Sequence, residues 1–457
     1  MAIATINPTT GETEREFPAH SAEEVESRIA QAAEAFQHLK ATSFADRAEW
    51  MRRSADLLES DVENAASMLT REMGKTIGQA RAEILKSAKT MRFYAEHAEA
   101  FLSGRELDAA AVGASRAYTT YQPLGVVLAV MPWNYPIWQV IRFAAPALMA
   151  GNTALLKHAS NVPQAALYLD TLFERGGFPT GAFRSLLIGA SHVEAVLRDR
   201  RVVAATLTGS EPAGRSVASI AGSEVKHVVL ELGGSDPFIV MPSADIERAV
   251  ATAVTSRTAN NGQACINAKR FIVHEDVYDD FLSRFTERMG GLVVGDPMHE
   301  STDVGPLATR GGREELAEIV DDALAKGAVA TTGGSAIDGP GWFYAPTVLT
   351  GVTREMRAYA EEAFGPVATV YRVGSADEAL EIANDTTFGL SSAVWSTDSA
   401  EQEHLVAGLD AGAVFVNGMS ISYPEVPFGG IKDSGVGREL SVEGIREFVN
   451  SKSVWKG

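Results

Sequence analysis

From Leu124 onward the chain repeats one pattern, a short apolar run followed by a helical stretch, and that repetition restricts it to parallel sheet covered on both faces. A first set of runs reads LGVVLAVMP, NTALLKH, RSLLIGA, VVAATLTGS and HVVLELGG. A second reads DPFIVM, KRFIVHEDVYDDFLSRF, PVATVYRV, SSAVWS and GAVFVNG. Two α/β units in series follow, with a boundary near Gly233, Gly234 and Asp236. Ahead of them, Ser21 to Phe101 carries apolar residues at helical spacing, and Ser21-Ala-Glu-Glu24 has the shape of a capping box. Two segments fit neither unit: RAYTTYQ before Leu124 and NSKSVW near the end. Both alternate as exposed strands do, and an unpaired edge needs a cover, for which a second subunit is one candidate.

Composition narrows the function. The 457 residues exceed what one core usually organises, so two or three domains are expected. Forty basic against 59 acidic residues leave a net charge of −19, which repels nucleic acid and anionic membranes alike. An anionic small substrate then needs a local cation. The single cysteine, Cys265, excludes a disulfide within the chain and suits a reducing compartment. The amino terminus lacks a leader pattern and no apolar run approaches the ~18 residues of a membrane span, so a cytoplasmic location is expected. Nine histidines stand singly, without metal-ligand spacing, and no metal is expected.

Five places carry chemistry. VVAATLTGSEPAGRS reads as strand, glycine turn and helix start, aiming backbone N–H groups at an anion near Gly209 and Ser210, or as a plain turn. Its resemblance to an ATP-binding loop fails at Arg215, which stands where a lysine is required. Cys265, in ANNGQACINAKR, is either a small buried hydrophobe or a nucleophile, and the polar, glycine-relaxed approach from Asn260 to Gln263 favours a thiol facing a cleft. Glu231 ends an apolar strand before two glycines, as a backbone-bonded acid or as a general base with a raised pKa. Asn134 in MPWNYP can donate to an oxyanion or satisfy a turn. Arg142, in WQVIRFAAPALMAG, must find an anion, either an acid of the chain or a substrate carboxylate.

Taken together, MPWNYP, LELGGSDP, NNGQACINAKR and EEAFGPV, with TGSEPAG and PFGGIKDSGVGRE, resemble the aldehyde dehydrogenase superfamily over nearly the whole chain. The resemblance implies an α/β fold: a Rossmann-like cofactor domain over 1–112 and 124–233, an α/β catalytic domain over 234–437, and a β oligomerisation arm from 113–123 and 438–457. It implies Cys265 as nucleophile, Glu231 as general base, and Asn134 with the Cys265 N–H as oxyanion hole. Around the dinucleotide it puts Trp133, Lys157, His158, Ala159, Ser160, Gly209, Ser210, Leu232, Glu362 and Phe364. Many NAD-using members have a glutamate where Ser160 stands. A carboxylate there would repel a 2′-phosphate that Ser160 and Lys157 can bind, so NADP is expected over NAD, although Ser160 also reads as a helix-start residue.

For the substrate, Arg142 and Ser422 match positions that bind the distal carboxylate in members acting on succinate semialdehyde, and Trp138 adjoins them. A second arginine of that subgroup is replaced by Ala259, and a redox-gating cysteine of some relatives by Asn267. An ω-carboxy aldehyde is the expected substrate, with glutarate semialdehyde as an alternative to succinate semialdehyde, and a homodimer or homotetramer is the expected assembly. A cysteine hydrolase or thioesterase, working without dinucleotide, is the reading from another class.

Overall fold

The computed structural model describes residues 2–457. A hairpin of β1 (Ile3–Ile6) and β2 (Thr13–Phe17) leads into four helices, α1 (Ala22–Leu39), α2 (Phe44–Ser60), α3 (Val62–Met73) and α4 (Ile77–Phe101). The capping box predicted at Ser21 forms: its hydroxyl accepts from the Glu24 N–H, and Glu24 accepts from the Ser21 N–H. Ser43 and Asp46 repeat the device at the start of α2 with a shorter acid. Strands β3 (Glu106–Leu107) and β4 (Arg116–Pro123) close this part.

The first α/β unit then runs β5 (Val126–Met131), α5 (Trp138–Ala150), β6 (Thr153–His158), α6 (Pro163–Gly176), β7 (Phe183–Ser185), α7 (Val193–Arg198), β8 (Val202–Thr208), α8 (Glu211–Ser223) and β9 (His227–Glu231). The second runs β10 (Asp236–Val240), α9 (Ile246–Thr258), β11 (Ala268–His274), α10 (Glu275–Gly290), α11 (Arg310–Ala325), β12 (Val329–Thr332), β13 (Thr347–Thr350), α12 (Arg357–Ala360), β14 (Val367–Val373), α13 (Ala376–Asn384), β15 (Ser392–Trp395), α14 (Ser399–Gly408) and β16 (Val414–Val416). The chain ends in β17 (Gly435–Val436), α15 (Ser441–Arg446) and β18 (Val449–Lys456).

The first sheet has the order β17-β9-β8-β5-β6-β7, parallel apart from β17, which pairs antiparallel with β9. Strands β5 to β7 build outward on one side and β8 and β9 on the other. The order therefore reverses between β5 and β8, and the crevice past their carboxyl ends is where ligands of such sheets lie. The second sheet has the order β12-β13-β14-β11-β10-β15-β16, again parallel except at the β12 edge. Apolar clusters cover both faces of each sheet, which is why their strands read as unbroken apolar runs.

The orphan segments form a three-stranded antiparallel sheet, β18-β4-β3. Pairing between β18 and β4 runs without a break from Val449 opposite Pro123 to Lys456 opposite Arg116. Glu106 and Leu107 join this sheet from a stretch too short for an apolar pattern to reveal. Most of β18 is exposed, Trp455 included.

Candidate active site

Where β5 and β8 end, the chain opens a cavity of about 540 Å³. Pro132, Trp133 and Asn134 enter it from β5, Thr208, Gly209 and Ser210 from β8, and Leu232 and Gly233 from the end of β9. From the second unit come Gln263 and Cys265 before β11, Thr309 and Gly312 at the start of α11, and Glu362 and Phe364 before β14. Trp133 and Phe364 meet edge to face, 5.7 Å between ring centroids, and form one wall of the cavity.

The polar approach to Cys265 is held by the protein rather than turned to solvent. Asn260 and Asn261 adopt left-handed backbone with φ of 56°, a conformation asparagine tolerates better than most residues. Both are fully enclosed. The Asn261 amide donates to the carbonyls of Gly74 and Pro306 and accepts from the Gly305 N–H, while Gln263 accepts from the Ala308 N–H. Buried Arg257 donates to the Gly262 and Ala268 carbonyls. Lys269 donates to the Cys265 carbonyl at 2.7 Å and pairs with Glu362 at 3.0 Å. These ties fix the thiol's position before any ligand arrives, and their signal in sequence is the run of side-chain amides itself.

The Cys265 thiol is partly covered and faces the cavity. Burial pushes its pKa up to about 12; Arg142 and Lys269 pull against that, while Glu362 and Glu231 add to it. Beside it, the Asn134 amide donates to the Gln263 carbonyl at 3.0 Å and keeps its second N–H unspent, since an amide nitrogen carries two donors. Glu231 ends β9 and is almost wholly buried, and among the described residues no donor reaches either of its carboxylate oxygens. Burial holds its pKa well above the usual carboxylate range; Glu439 raises it further, and Arg142 and Arg438 oppose the rise. Its carboxylate leans on Gly429, where any Cβ would come within 2.8 Å of Oε1.

Arg142 finds its anion inside the chain. Its guanidinium is ion-paired with buried Glu439, donates to the Thr208 hydroxyl at 3.1 Å and lies over the Phe428 ring. It therefore lies outside the cavity lining, as do Trp138, Ser422 and Glu231. Glu439 was not singled out from sequence, because nothing local marks an acid 297 residues downstream as the partner. Ser422 is buried and accepts from Lys86 of α4 at 2.8 Å. Lys86 also escaped the sequence reading. Its signal is that α4 carries Gln79, Glu83 and Lys86 one helical turn apart, where the stripe should be apolar.

Past β6, Lys157 is buried and has no acidic partner among the described residues; burial lowers its pKa. His158 is a brace. Its Nδ1 accepts from the Ala159 N–H, so Nε2 carries the proton it gives to the Pro136 carbonyl, and burial holds the ring neutral with a pKa near 4. Ser160 is partly exposed. Ser210 precedes α8 without bonding its own helix, which leaves both its hydroxyl and the helix's positive end facing the cavity. An unpaired buried cation, a free hydroxyl at a helix start and an aromatic wall fit an anionic dinucleotide. Among the described residues no cluster of three or more possible metal ligands occurs. Among the described residues no helix is long and apolar enough to cross a membrane.

The model of the aldehyde dehydrogenase family matches residues 1–454. The chain is 62% identical to succinate-semialdehyde dehydrogenase [NADP(+)] 1 of Mycobacterium tuberculosis, over 100% of both chains. To the enzyme of the same name from Mycobacterium ulcerans it is 61% identical, again over 100% of both. The crystal structure of succinic semialdehyde dehydrogenase from Streptococcus pyogenes in complex with NADP+ superposes with a TM-score of 0.96 at 36% identity, covering 99% of each chain.

Proposed function

The chain belongs to the aldehyde dehydrogenase family, and on that premise we propose that it oxidises succinate semialdehyde to succinate with NADP. The observation that carries this reading is that Cys265 and Asn134 share one cavity with the free start of α8 and the Trp133–Phe364 wall. In this reading the Cys265 thiol gives its proton to water and the thiolate attacks the aldehyde carbon, because an aldehyde cannot release hydride until its carbon becomes tetrahedral. The oxygen gains negative charge, and the unspent Asn134 N–H with the Cys265 backbone N–H are its donors. Bound NADP supplies the hydride acceptor. Glu231, whose oxygens have no other donor among the described residues, takes a proton from water, and that water releases succinate from the Cys265 thioester. The buried position of Glu231 suits this task, since a carboxylate of raised pKa is a stronger base.

Lys157 and Ser160 would hold the 2′-phosphate, Gly209, Ser210 and the Leu232 backbone the pyrophosphate and nicotinamide ribose, and Glu362 and Phe364 the nicotinamide side. His158 and Ala159 would act through backbone position only. We place the distal carboxylate in the corner of Trp138, Arg142 and Ser422, and read the two sheets as cofactor and catalytic domains. The exposed β18-β4-β3 sheet we read as a subunit contact within a homodimer or homotetramer, which a single-chain mass by light scattering would overturn.

Following nicotinamide reduction with succinate semialdehyde, glutarate semialdehyde and butanal, each with NADP and NAD, tests the reaction. The expected outcome is highest kcat/KM for succinate semialdehyde with NADP, and Ser160→Glu moves the preference toward NAD by about 10–100-fold, the worth of a charged hydrogen bond. Equal rates with all three aldehydes would sink the substrate assignment.

A further inference from the structure

A substrate with two carbonyl ends needs a cation for the end that does not react, and the obvious one is committed elsewhere. Arg142 has Glu439, Thr208 and Phe428 around it. Lys86 is different. Its ammonium is enclosed on most sides, packs over the Trp138 ring at 4.0 Å and donates to Ser422 Oγ at 2.8 Å. No carboxylate of the described residues pairs with it. The acid nearest in sequence, Glu83, is fully used: one oxygen accepts from the Ile137 and Trp138 N–H groups at the start of α5, and the other pairs with Lys75.

The helix also points the right way. Gln79, Glu83 and Lys86 lie at i, i+4 and i+7 on one face of α4. Gln79 accepts from the Asn260 N–H on the loop that carries Cys265, and Glu83 caps the helix that follows Asn134. Lys86 continues this row to Trp138 and Ser422, one residue from Gln139 in the cavity wall. Because Ser422 Oγ already accepts from Lys86, its own O–H must be given to something else. A carboxylate only accepts. Burial and the Arg142 charge hold the Lys86 pKa down to about 7, and a carboxylate beside it would oppose both by favouring the ammonium.

We propose that Lys86 is the specificity-determining residue that receives the distal carboxylate of the aldehyde, with the Ser422 hydroxyl as second donor. This rests on the proposed reaction with succinate semialdehyde and names which side chain of the substrate corner makes the charged contact.

The test compares kcat/KM for succinate semialdehyde and for butanal, uncharged and of the same length, in the parent, Lys86→Met and Lys86→Arg. In the methionine variant the preference for the charged aldehyde falls by about 10–100-fold, mainly through KM, and arginine restores most of it. A folded methionine variant that still binds NADP and keeps the parent preference overturns the assignment to Lys86 while leaving the reaction intact. A parent without any preference overturns the substrate reading itself. On the parent alone, succinate should shield Lys86 from acylation by acetic anhydride, read by peptide mass, whereas butanol should not. Unchanged Lys86 labelling in succinate overturns the proposal even if the variants fail to fold.

Discussion

Single residues mark themselves in the sequence as candidates for chemistry, but not their partners. Cys265, Glu231 and Asn134 stand out because each is a polar or reactive side chain at the end of an apolar strand or beside a glycine. Arg142 stood out as a charge among apolar residues, and both of its readings stayed open because an ion pair is made by folding, here with Glu439 from the far end of the chain. The pair has measurable consequences. Arg142→Met leaves a buried carboxylate without its cation, at a cost of about 3–5 kcal/mol, whereas Arg142→Met with Glu439→Leu recovers most of the loss. Urea unfolding of the two variants checks this; equal loss in both would mean that the pair contributes little. The same variants move the chemistry in a defined direction. Glu231 must be ionised to work as base, so acyl-enzyme hydrolysis rises with pH through its raised pKa. Arg142 lowers that pKa and Glu439 raises it. Removing Arg142 alone shifts the rising limb to higher pH, and removing both returns it toward the parent.

At the scale of elements, legibility followed length. The long apolar strands β5, β6, β8 and β10 and the capped α1 are visible because period and caps agree over many residues. Strands β3 and β17, two residues each, exist only because a neighbour offers a free edge, and no local pattern encodes them. The turn before Cys265 lies between these cases. Its asparagines and glycine mark left-handed backbone, yet sequence alone suggested a loose polar loop, where folding gives a rigid one bonded on every side. Gly262 shows how little slack remains: φ is +76°, and a Cβ would come within 2.3 Å of the Gly365 carbonyl carbon. Replacing Gly262 with Ala must displace either this turn or the strand that follows Gly365. The expected result is a loss of at least about tenfold in kcat, as misplacing a reacting atom costs, while dinucleotide affinity changes much less. Binding by fluorescence titration and single-turnover rates separate the two; unaltered kcat would show that the turn can shift freely.

Across the whole molecule, local charge and total charge oppose each other. The chain carries a net −19, yet the proposed substrate and cofactor are both anions. In the proposed reading their capture rests on buried Lys157 and partly covered Lys86, neither paired with a carboxylate among the described residues. Sequence arithmetic gave the repulsive field but not where these two cations end up, because burial without a partner is a property of packing. The two fields differ in reach. Surface repulsion extends over the Debye length, about 30 Å at 0.01 M salt and 10 Å at 0.1 M, whereas a contact inside the protein is screened much less. Adding salt over that interval should therefore remove more repulsion than attraction. KM for NADP and for succinate semialdehyde should fall between 0.01 and 0.1 M potassium chloride, and KM for uncharged butanal should stay constant. A rise for both anions over the same range would mean that the cations act as surface charges open to solvent, and that their enclosure within the fold is not what selects an anionic aldehyde.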